Sequence, residues 1–235
     1  MYSNLKIALS GPQSSGKSTL AYAWSEKHGV PVSKSSTREI MNIFGFNNHK
    51  QVIKAGVTTP EVGIEFQKTL ATEKLKEFSE SKTGFISDRS LVDIFSYYAL
   101  HNSMFASEKT NEEMKNLILE SIENTDLLVF LSPKLQEIEN NGVRVVSSVY
   151  YETVLSVMYS TLCSVISTYD SKEGIVQESF NYKDSKIKAH LYFSDSVAIL
   201  HLDESECVGG IASVSQRIEV LEDTLNDLKR IRGLL

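Results

Sequence analysis

The stretch that decides the fold is Gly11-Pro12-Gln13-Ser14-Ser15-Gly16-Lys17-Ser18. It matches the pattern G-x-x-x-x-G-K-S/T of a phosphate-binding loop. The short apolar run Lys6–Ser10 precedes it, and a helix-forming segment follows Gly16 to about His28. A chance glycine-rich turn would match the pattern without this strand, loop and helix context, so we predict a nucleoside-triphosphate site.

The residues of this loop have distinct predicted roles. Backbone N–H groups and the helix N-terminus supply fixed positive potential for a phosphate. Lys17 reaches the β- and γ-phosphates, Ser18 ligates magnesium, and Thr19 adds a hydroxyl near the α-phosphate. The predicted cofactors are therefore ATP and Mg²⁺. The predicted nucleotide-binding residues are Gly11, Pro12, Gln13, Ser14, Ser15, Gly16, Lys17, Ser18 and Thr19.

Short apolar runs alternate with helical patterns along the rest of the chain. Further strands are predicted at Val30–Ser33, Gly84–Ser87, Asp126–Leu131 and Val197–Leu202. Helices are predicted at Thr37–Phe44, His49–Gly56, Pro60–Ser81, Leu91–His101, Asn111–Asn124 and Ser147–Tyr169. Strands separated by helices need crossover connections. The predicted fold class is α/β: a P-loop NTPase fold with a mainly parallel five-stranded sheet flanked by helices.

Two polar segments interrupt this alternation. Residues 133–147 contain Asn140, Asn141 and Gly142 and are predicted to form a helical lid. Residues 171–196 have weak signals and are predicted to be an insertion with its own hairpin. We find no repeat and no Gly/Ser-rich linker, so residues 1–235 are predicted to form a single domain.

The C-terminal segment carries an apolar stripe at steps of three and four. Its members are Ile211, Val214, Ile218, Leu221, Leu225, Leu228, Ile231 and Leu235. The stripe indicates a helix packed on its own sheet. A dimerising coiled coil, and with it a homodimer, is the alternative.

Composition argues against several classes of protein. The formal net charge is −6, and basic residues are dispersed, which counts against a nucleic-acid partner. The two cysteines, Cys163 and Cys207, fit neither a disulfide framework nor a zinc site. No continuous apolar run approaches the roughly 18 residues of a membrane span, and Met1–Ile7 lacks secretory-signal features. We therefore expect a cytoplasmic protein without a membrane partner.

A second cluster of candidate residues is Asp88-Arg89-Ser90, directly after the strand Gly84–Ser87. It therefore lies at the carboxyl end of a parallel strand, where open α/β sheets bind ligands. Asp88 is a candidate catalytic and metal-organising carboxylate, and Arg89 is suited to bind an anion through two hydrogen bonds. The alternative is a helix-capping Asp beside a solvated Arg.

Three blocks of the sequence resemble the P-loop nucleoside and nucleotide kinases, a group that includes thymidylate kinases, deoxynucleoside kinases and ribosylnicotinamide-kinase-like proteins. The first block is the loop itself, and the second is Thr37-Arg38-Glu39. The third is Phe66-Gln67 followed by Phe85-Ile86-Ser87-Asp88-Arg89-Ser90. In addition, Asn141-Gly142-Val143-Arg144 is similar to the lid of the ribosylnicotinamide-kinase-like group.

The resemblance implies roles for the candidate acceptor residues. Arg38 would meet the acceptor phosphate, Gln67 would read the base, and Asp88 with Arg89 would serve the transferred phosphate. Glu39 is the nearest candidate for the catalytic acid of deoxynucleoside kinases. Considered without the resemblance, Glu39 also fits a helix-surface position and Gln67 a solvated helix flank.

A further catalytic candidate is Arg144, which would close from the lid onto the transferring phosphate. A solvated arginine in a flexible loop is the alternative. Ile40-Met41-Asn42 replaces the Pro and Gly residues that follow Thr-Arg-Glu in thymidylate kinases, so a thymidylate substrate is not implied.

Together, these features predict an enzyme that moves the γ-phosphoryl of ATP to a small nucleoside or nucleotide. Two arginines, Arg38 and Arg89, favour a deoxynucleoside monophosphate as the acceptor. One alternative is a kinase that acts on a nucleoside or on a modified-base hydroxyl in DNA. Another is a P-loop ATPase module that regulates a protein partner.

Overall fold

The computed structural model describes residues 2–33, 37–132, 148–182, 187–204, 207 and 212–231. The strands are β1 (Lys6–Ser10), β2 (Val32–Ser33), β3 (Phe85–Ser87), β4 (Leu127–Ser132), β5 (Val176–Asn181), β6 (Lys188–Phe193) and β7 (Ala198–Asp203). The helices are α1 (Lys17–His28), α2 (Thr37–Ile43), α3 (His49–Thr58), α4 (Pro60–Glu80), α5 (Leu91–His101), α6 (Glu108–Glu123), α7 (Ser148–Glu173) and α8 (Val214–Ile231). A short 3₁₀ turn at Ser103–Phe105 follows α5.

All seven strands belong to one sheet with the order β2-β3-β1-β4-β7-β6-β5. The first five in this order are parallel to their neighbours, which confirms the predicted parallel sheet. The segment 171–196 does form a hairpin, but β5 and β6 extend the same sheet as antiparallel strands. The sheet therefore has seven strands, where the sequence predicted five. β5 and β6 pair antiparallel because a short connection between consecutive strands permits only antiparallel pairing.

Most helix boundaries fall within a few residues of the predicted ones. The largest difference at a start is in α6, which begins at Glu108 instead of Asn111. The Ser107 hydroxyl accepts a hydrogen bond from the Thr110 N–H at 3.1 Å and so caps the helix three residues earlier. The predicted lid, residues 133–147 including Arg144, lies outside the described residues.

Helices cover both faces of the sheet. One core cluster contains residues of all the helices from α2 through α7, together with sheet residues such as Leu128 and Phe130. The other joins α1 and α8 with Ile7, Leu9 and Val129. The apolar stripe of α8 thus packs on the chain's own sheet, as predicted.

The helix α7 differs from the expectation that no segment is apolar enough to span a bilayer. By length and composition, Val149–Glu173 is the one such helix in the described part of the chain. Its residues Met158, Leu162 and Tyr169 are nearly inaccessible and pack in the core, which accounts for their apolar character. The cytoplasmic location stays a prediction.

Candidate active site

The predicted phosphate-binding loop connects β1 to α1, as the sequence predicts. Two glycines are required by its backbone. Gly11 has φ 142°, and a Cβ there would lie 2.5 Å from the Leu131 carbonyl oxygen. Gly16 has φ 83° and precedes α1 without any side-chain cap. The first N–H groups of α1 are therefore not used by a capping side chain and can bind an anion.

Lys17 turns back onto this loop. Its Nζ donates hydrogen bonds to the carbonyl oxygens of Gly11 at 2.6 Å and Pro12 at 2.9 Å. Burial lowers the pKa of Lys17, and the negative charge of Asp93 opposes that shift. A cation held by weak neutral acceptors in a buried position is well suited to exchange them for phosphate oxygens.

The structure brings Ser18 and Asp88 together. The Ser18 hydroxyl donates a hydrogen bond to Asp88 Oδ2 at 2.7 Å. Ser18 begins α1 and Asp88 follows β3, so the contact forms where the carboxyl ends of β1 and β3 lie side by side. A hydroxyl and a carboxylate are the hard oxygen ligands that Mg²⁺ prefers. The predicted metal pair therefore has the chemistry and proximity that a magnesium site needs.

A further carboxylate, Asp93, lies against the start of the loop. It is only 2% exposed. It accepts hydrogen bonds from the Ser10 hydroxyl at 2.5 Å and the Gly11 N–H at 3.0 Å, and its Oδ2 is 3.9 Å from Lys17 Nζ. Sequence analysis missed it. The signal was an acidic residue within the apolar run LVDIF of α5.

A buried lysine occupies the end of β2. Lys74 of α4 is 2% exposed, and its Nζ donates hydrogen bonds to Ser33 Oγ and Glu77 Oε2, both at 2.9 Å. Ser33 in turn donates to Glu77 Oε1 at 2.7 Å. Burial lowers the pKa of Lys74, while Glu77 and the nearby Asp88 act in the opposite direction. Lys74 was also missed, although it interrupts the apolar series Phe66, Leu70, Phe78 at a buried position.

A buried ion pair lies against the phosphate-binding loop on the side of α8. Arg217 of α8 donates from Nε to Glu204 Oε1 at 2.7 Å and from Nη2 to Glu204 Oε2. Both residues are at most 1% exposed. Arg217 Nη1 lies 2.5 Å from the position that a Cβ on Gly16 would take, so the guanidinium leaves no room for a side chain there.

The remaining sequence-predicted residues divide into three groups, which are buried, exposed and half-buried. Gln67 is 5% exposed on the inner face of α4, so the solvated-flank alternative is wrong. None of the hydrogen bonds found within the described residues involves its amide, and its amide atoms are not among the fully buried polar atoms that lack a partner. Arg38 and Glu39 are exposed on α2, and the described residues provide no hydrogen bond or ion pair that joins them to the loop. Arg89 is half-buried, with its charge acting on Lys17 and Asp93.

Two other loop residues keep polar groups available. Thr19 is exposed on the first turn of α1. Gln13 Nε2 is buried and has no hydrogen-bond partner in the part of the chain that the structure describes.

Solved structures with a similar fold include a deoxyadenosine kinase. The deoxyadenosine kinase from M. mycoides with dCMP and dCDP matches with a TM-score of 0.57 and 16% identity, over 96% of this chain and 100% of that one. The same kinase with dATP gives a TM-score of 0.54 and 17% identity, over 95% and 100%. NadR in complex with NR gives 0.47 and 15%, over 71% of this chain and 41% of that one. At these identities the likeness concerns the fold.

The loop and the sheet order give the chain the fold of the P-loop nucleoside and nucleotide kinases, so the resemblance noted in the sequence is confirmed at the level of the fold. A family described as an AAA domain, AAA_28, matches residues 6–162, more than half of the chain. The chain belongs to this family. Comparison with curated proteins gives no match.

Proposed function

We propose that this protein transfers the γ-phosphoryl group of ATP to a small nucleoside-type acceptor. The observation that carries the proposal is the 2.7 Å contact between Ser18 and Asp88 directly beside Lys17. It assembles a phosphate-binding loop, a buried cation and a carboxylate at one edge of the sheet. Phosphoryl transfer needs mainly such positioning and charge, with little covalent help from the protein.

The donor phosphates would bind to the loop amides and the uncapped N-terminus of α1. Lys17 would leave the carbonyl oxygens of Gly11 and Pro12 for phosphate oxygens, which are charged and therefore stronger acceptors. The buried Gln13 amide adds an unpaired donor in the same loop. The loop amides are fixed by the backbone, so of these donors only Lys17 has to exchange its partners when the nucleotide binds.

The metal would be held by Ser18 and Asp88. Bound there, Mg²⁺ would neutralise charge on the β- and γ-phosphate oxygens. Their short hydrogen bond keeps the two oxygens within reach of a single ion. Arg89 follows Asp88 in sequence and would bring a guanidinium to the transferred group. Arg144 remains our candidate for a second arginine that arrives with the lid.

The acceptor would lie along the inner face of α4. Gln67 and Lys74 are two helical turns apart on this face, which is about 10.5 Å along the axis. Gln67 offers an unpartnered amide that could pair with both donors and acceptors of a base edge. Lys74, Ser33 and Glu77 form the polar end of the face, beside Asp88. This spacing suits a ligand with a base at one end and a reacting oxygen at the other.

The balance of charge in the site supports a ranking of the two acceptor classes. Lys17, Lys74 and Arg89 are matched by Glu77, Asp88 and Asp93, so the described site has no surplus positive charge before ATP binds. A neutral nucleoside hydroxyl suits this balance better than a phosphate dianion. We therefore rank a nucleoside first. A deoxynucleoside monophosphate, which Arg38 and Arg89 favoured in the sequence, ranks second. It stays a candidate because Arg38 is exposed and could turn toward its phosphate.

The test is acceptor-dependent ADP release measured over a panel of nucleosides and deoxynucleoside monophosphates. We expect ADP with at least one nucleoside and no ADP without acceptor. Lys17→Ala, for which we expect a loss of kcat of about 10²–10³-fold, serves as the low-activity control. ADP formation at the same rate in water alone would instead identify an ATPase module, and activity only on DNA would identify the modified-base alternative. Activity restricted to monophosphates would reverse our ranking of the acceptors.

A further inference from the structure

The carboxylate of Asp93 makes contacts that none of the roles above uses. Its Oδ1 accepts two hydrogen bonds from the first residues of the phosphate-binding loop, from the Ser10 hydroxyl at 2.5 Å and the Gly11 N–H at 3.0 Å. Its Oδ2 faces Lys17 Nζ at 3.9 Å. Asp93 thus contacts both the point where the chain leaves β1 and the cation that would bind the phosphates.

The contacts of Asp93 complement those of Asp88. Asp88 pairs with Ser18 at the end of the loop, and Asp93 pairs with Ser10 and Gly11 at its beginning. Both acids belong to one continuous segment, in which Ser90 caps α5 by accepting a hydrogen bond from the Val92 N–H at 3.1 Å. The loop is therefore held at both ends by the same short stretch of chain.

Burial of the Asp93 carboxylate costs folding free energy unless its hydrogen bonds compensate for the lost hydration. The residue is 2% exposed, with Val92 and Ile94 as its apolar neighbours in the helix. Burial raises the pKa of Asp93, and Lys17 with the two hydrogen bonds opposes this rise. An apolar residue of similar size would avoid the desolvation of a carboxylate. A carboxylate at this position is best explained by what it does to the loop.

The loop itself requires such a support at Gly11. This residue has φ 142° and lies against the Leu131 carbonyl, so its conformation is available almost only to glycine. A free glycine at the start of the loop would have many accessible conformations. The hydrogen bond from its N–H to Asp93 selects one of them.

We propose that Asp93 is a positioning residue for nucleotide binding, which holds Ser10 and Gly11 so that the loop amides and Lys17 face the phosphates. This inference rests on the proposed function in so far as the nucleotide is ATP. Asp93 does not touch the phosphates in this arrangement and acts through the loop.

Binding of a fluorescent ATP analogue without any acceptor tests the inference, with Asp93→Ala and Asp93→Asn as the variants. Alanine removes both hydrogen bonds, and we expect affinity to fall about tenfold or more. Asparagine keeps an acceptor oxygen, and we expect affinity within about threefold of the wild type. The KM for the acceptor should stay nearly constant in both variants. If Asp93 only stabilised the fold, its variants would change the ATP affinity and the acceptor KM together.

Ser96→Ala is the matched control, because Ser96 is a buried polar residue of the same helix that bonds to Val92 and Thr161, away from the loop. Its ATP affinity should equal that of the wild type. Should Asp93→Ala fail to fold, Ser10→Ala removes a single hydroxyl from the same contact and should lower affinity by a smaller factor. Its effect should persist in the Asp93→Asn background, because asparagine keeps the oxygen that accepts the Ser10 hydrogen bond.

Unchanged affinity in Asp93→Ala would overturn the inference, as would equal losses in Asp93→Asn and Asp93→Ala. For an unfolded alanine variant, unchanged affinity in Ser10→Ala would have the same consequence. These results are distinct from failure of the proposed function. That failure would appear as a wild-type protein that binds ATP normally but phosphorylates no acceptor, in which case the binding comparison still decides the role of Asp93.

Discussion

The buried ion pair between Glu204 and Arg217 offers the sharpest test of how the site is supported. In Arg217→Met the guanidinium is lost, and Glu204, which is 0% exposed, is left as a buried carboxylate whose remaining hydrogen bond among the described residues comes from the Ala212 N–H at 3.3 Å. Removing one partner of a buried pair costs about 3–5 kcal/mol of unfolding free energy. For a chain of this length, each kcal/mol corresponds to about 2–4 °C in Tm. We therefore expect Tm to fall by about 6–20 °C.

The chain contains its own probe for this experiment. Trp24 is its sole tryptophan, is fully buried, and lies in α1 in the same core cluster as α8. Its fluorescence during urea unfolding should report the loss of stability directly. Arg230→Met is the matched control, since Arg230 lies on the same helix in an exposed pair with Asp227 at 3.3 Å. That surface pair is worth about 0–1 kcal/mol.

A double variant separates the charge from the packing. Glu204→Met with Arg217→Met removes both buried charges, and we expect most of the lost stability to return because no carboxylate remains unpaired. The recovery should be incomplete, since the Ala212 N–H loses its acceptor. A loss of unfolding free energy below about 1 kcal/mol in Arg217→Met would refute the reasoning. A double variant that is less stable than Arg217→Met by about a further 3–5 kcal/mol would refute it as well.

Four further changes test the site itself. Lys17→Ala should lower kcat by about 10²–10³-fold with the fold intact, because a preorganised cation is lost; more than about a tenth of wild-type kcat would contradict its role. Asp88→Asn should lower kcat more than ATP affinity, with partial rescue by excess magnesium, whereas a fall in ATP affinity alone would indicate a structural cap. Arg144→Ala should depress kcat at nearly constant ATP affinity, and lysine should rescue poorly; near-wild-type kcat in both variants would remove the lid arginine from catalysis. Gln67→Leu should raise the acceptor KM about tenfold with little change in thermal stability, because the substitution removes an amide that makes no hydrogen bond to the described residues and keeps an apolar side chain at this 5% exposed position; an unchanged KM would count against base recognition.

Local signals in the sequence were sufficient for the elements of the fold. The P-loop pattern after an apolar run predicted β1 and α1, and the periodicity predicted α4, α5 and α8. The pairing of Ser18 with Asp88 could also be anticipated, because parallel strands bring their carboxyl ends to one edge of the sheet. These features depend on residues close in sequence or on a general rule of topology.

Other contacts of the site were decided by tertiary structure alone. Periodicity marks Lys74, Asp93 and Arg217 as polar residues at buried positions, but it carries no information about their partners. The partners lie far away in sequence: Lys74 meets Ser33, Asp93 meets Ser10, and Arg217 packs on Gly16. Similarly, the sequence of 171–196 predicted a hairpin, but it did not predict that β6 would pair with β7. Hydrogen bonding and charge pairing depend on distances between atoms, and only the packing of helices against the sheet sets those distances.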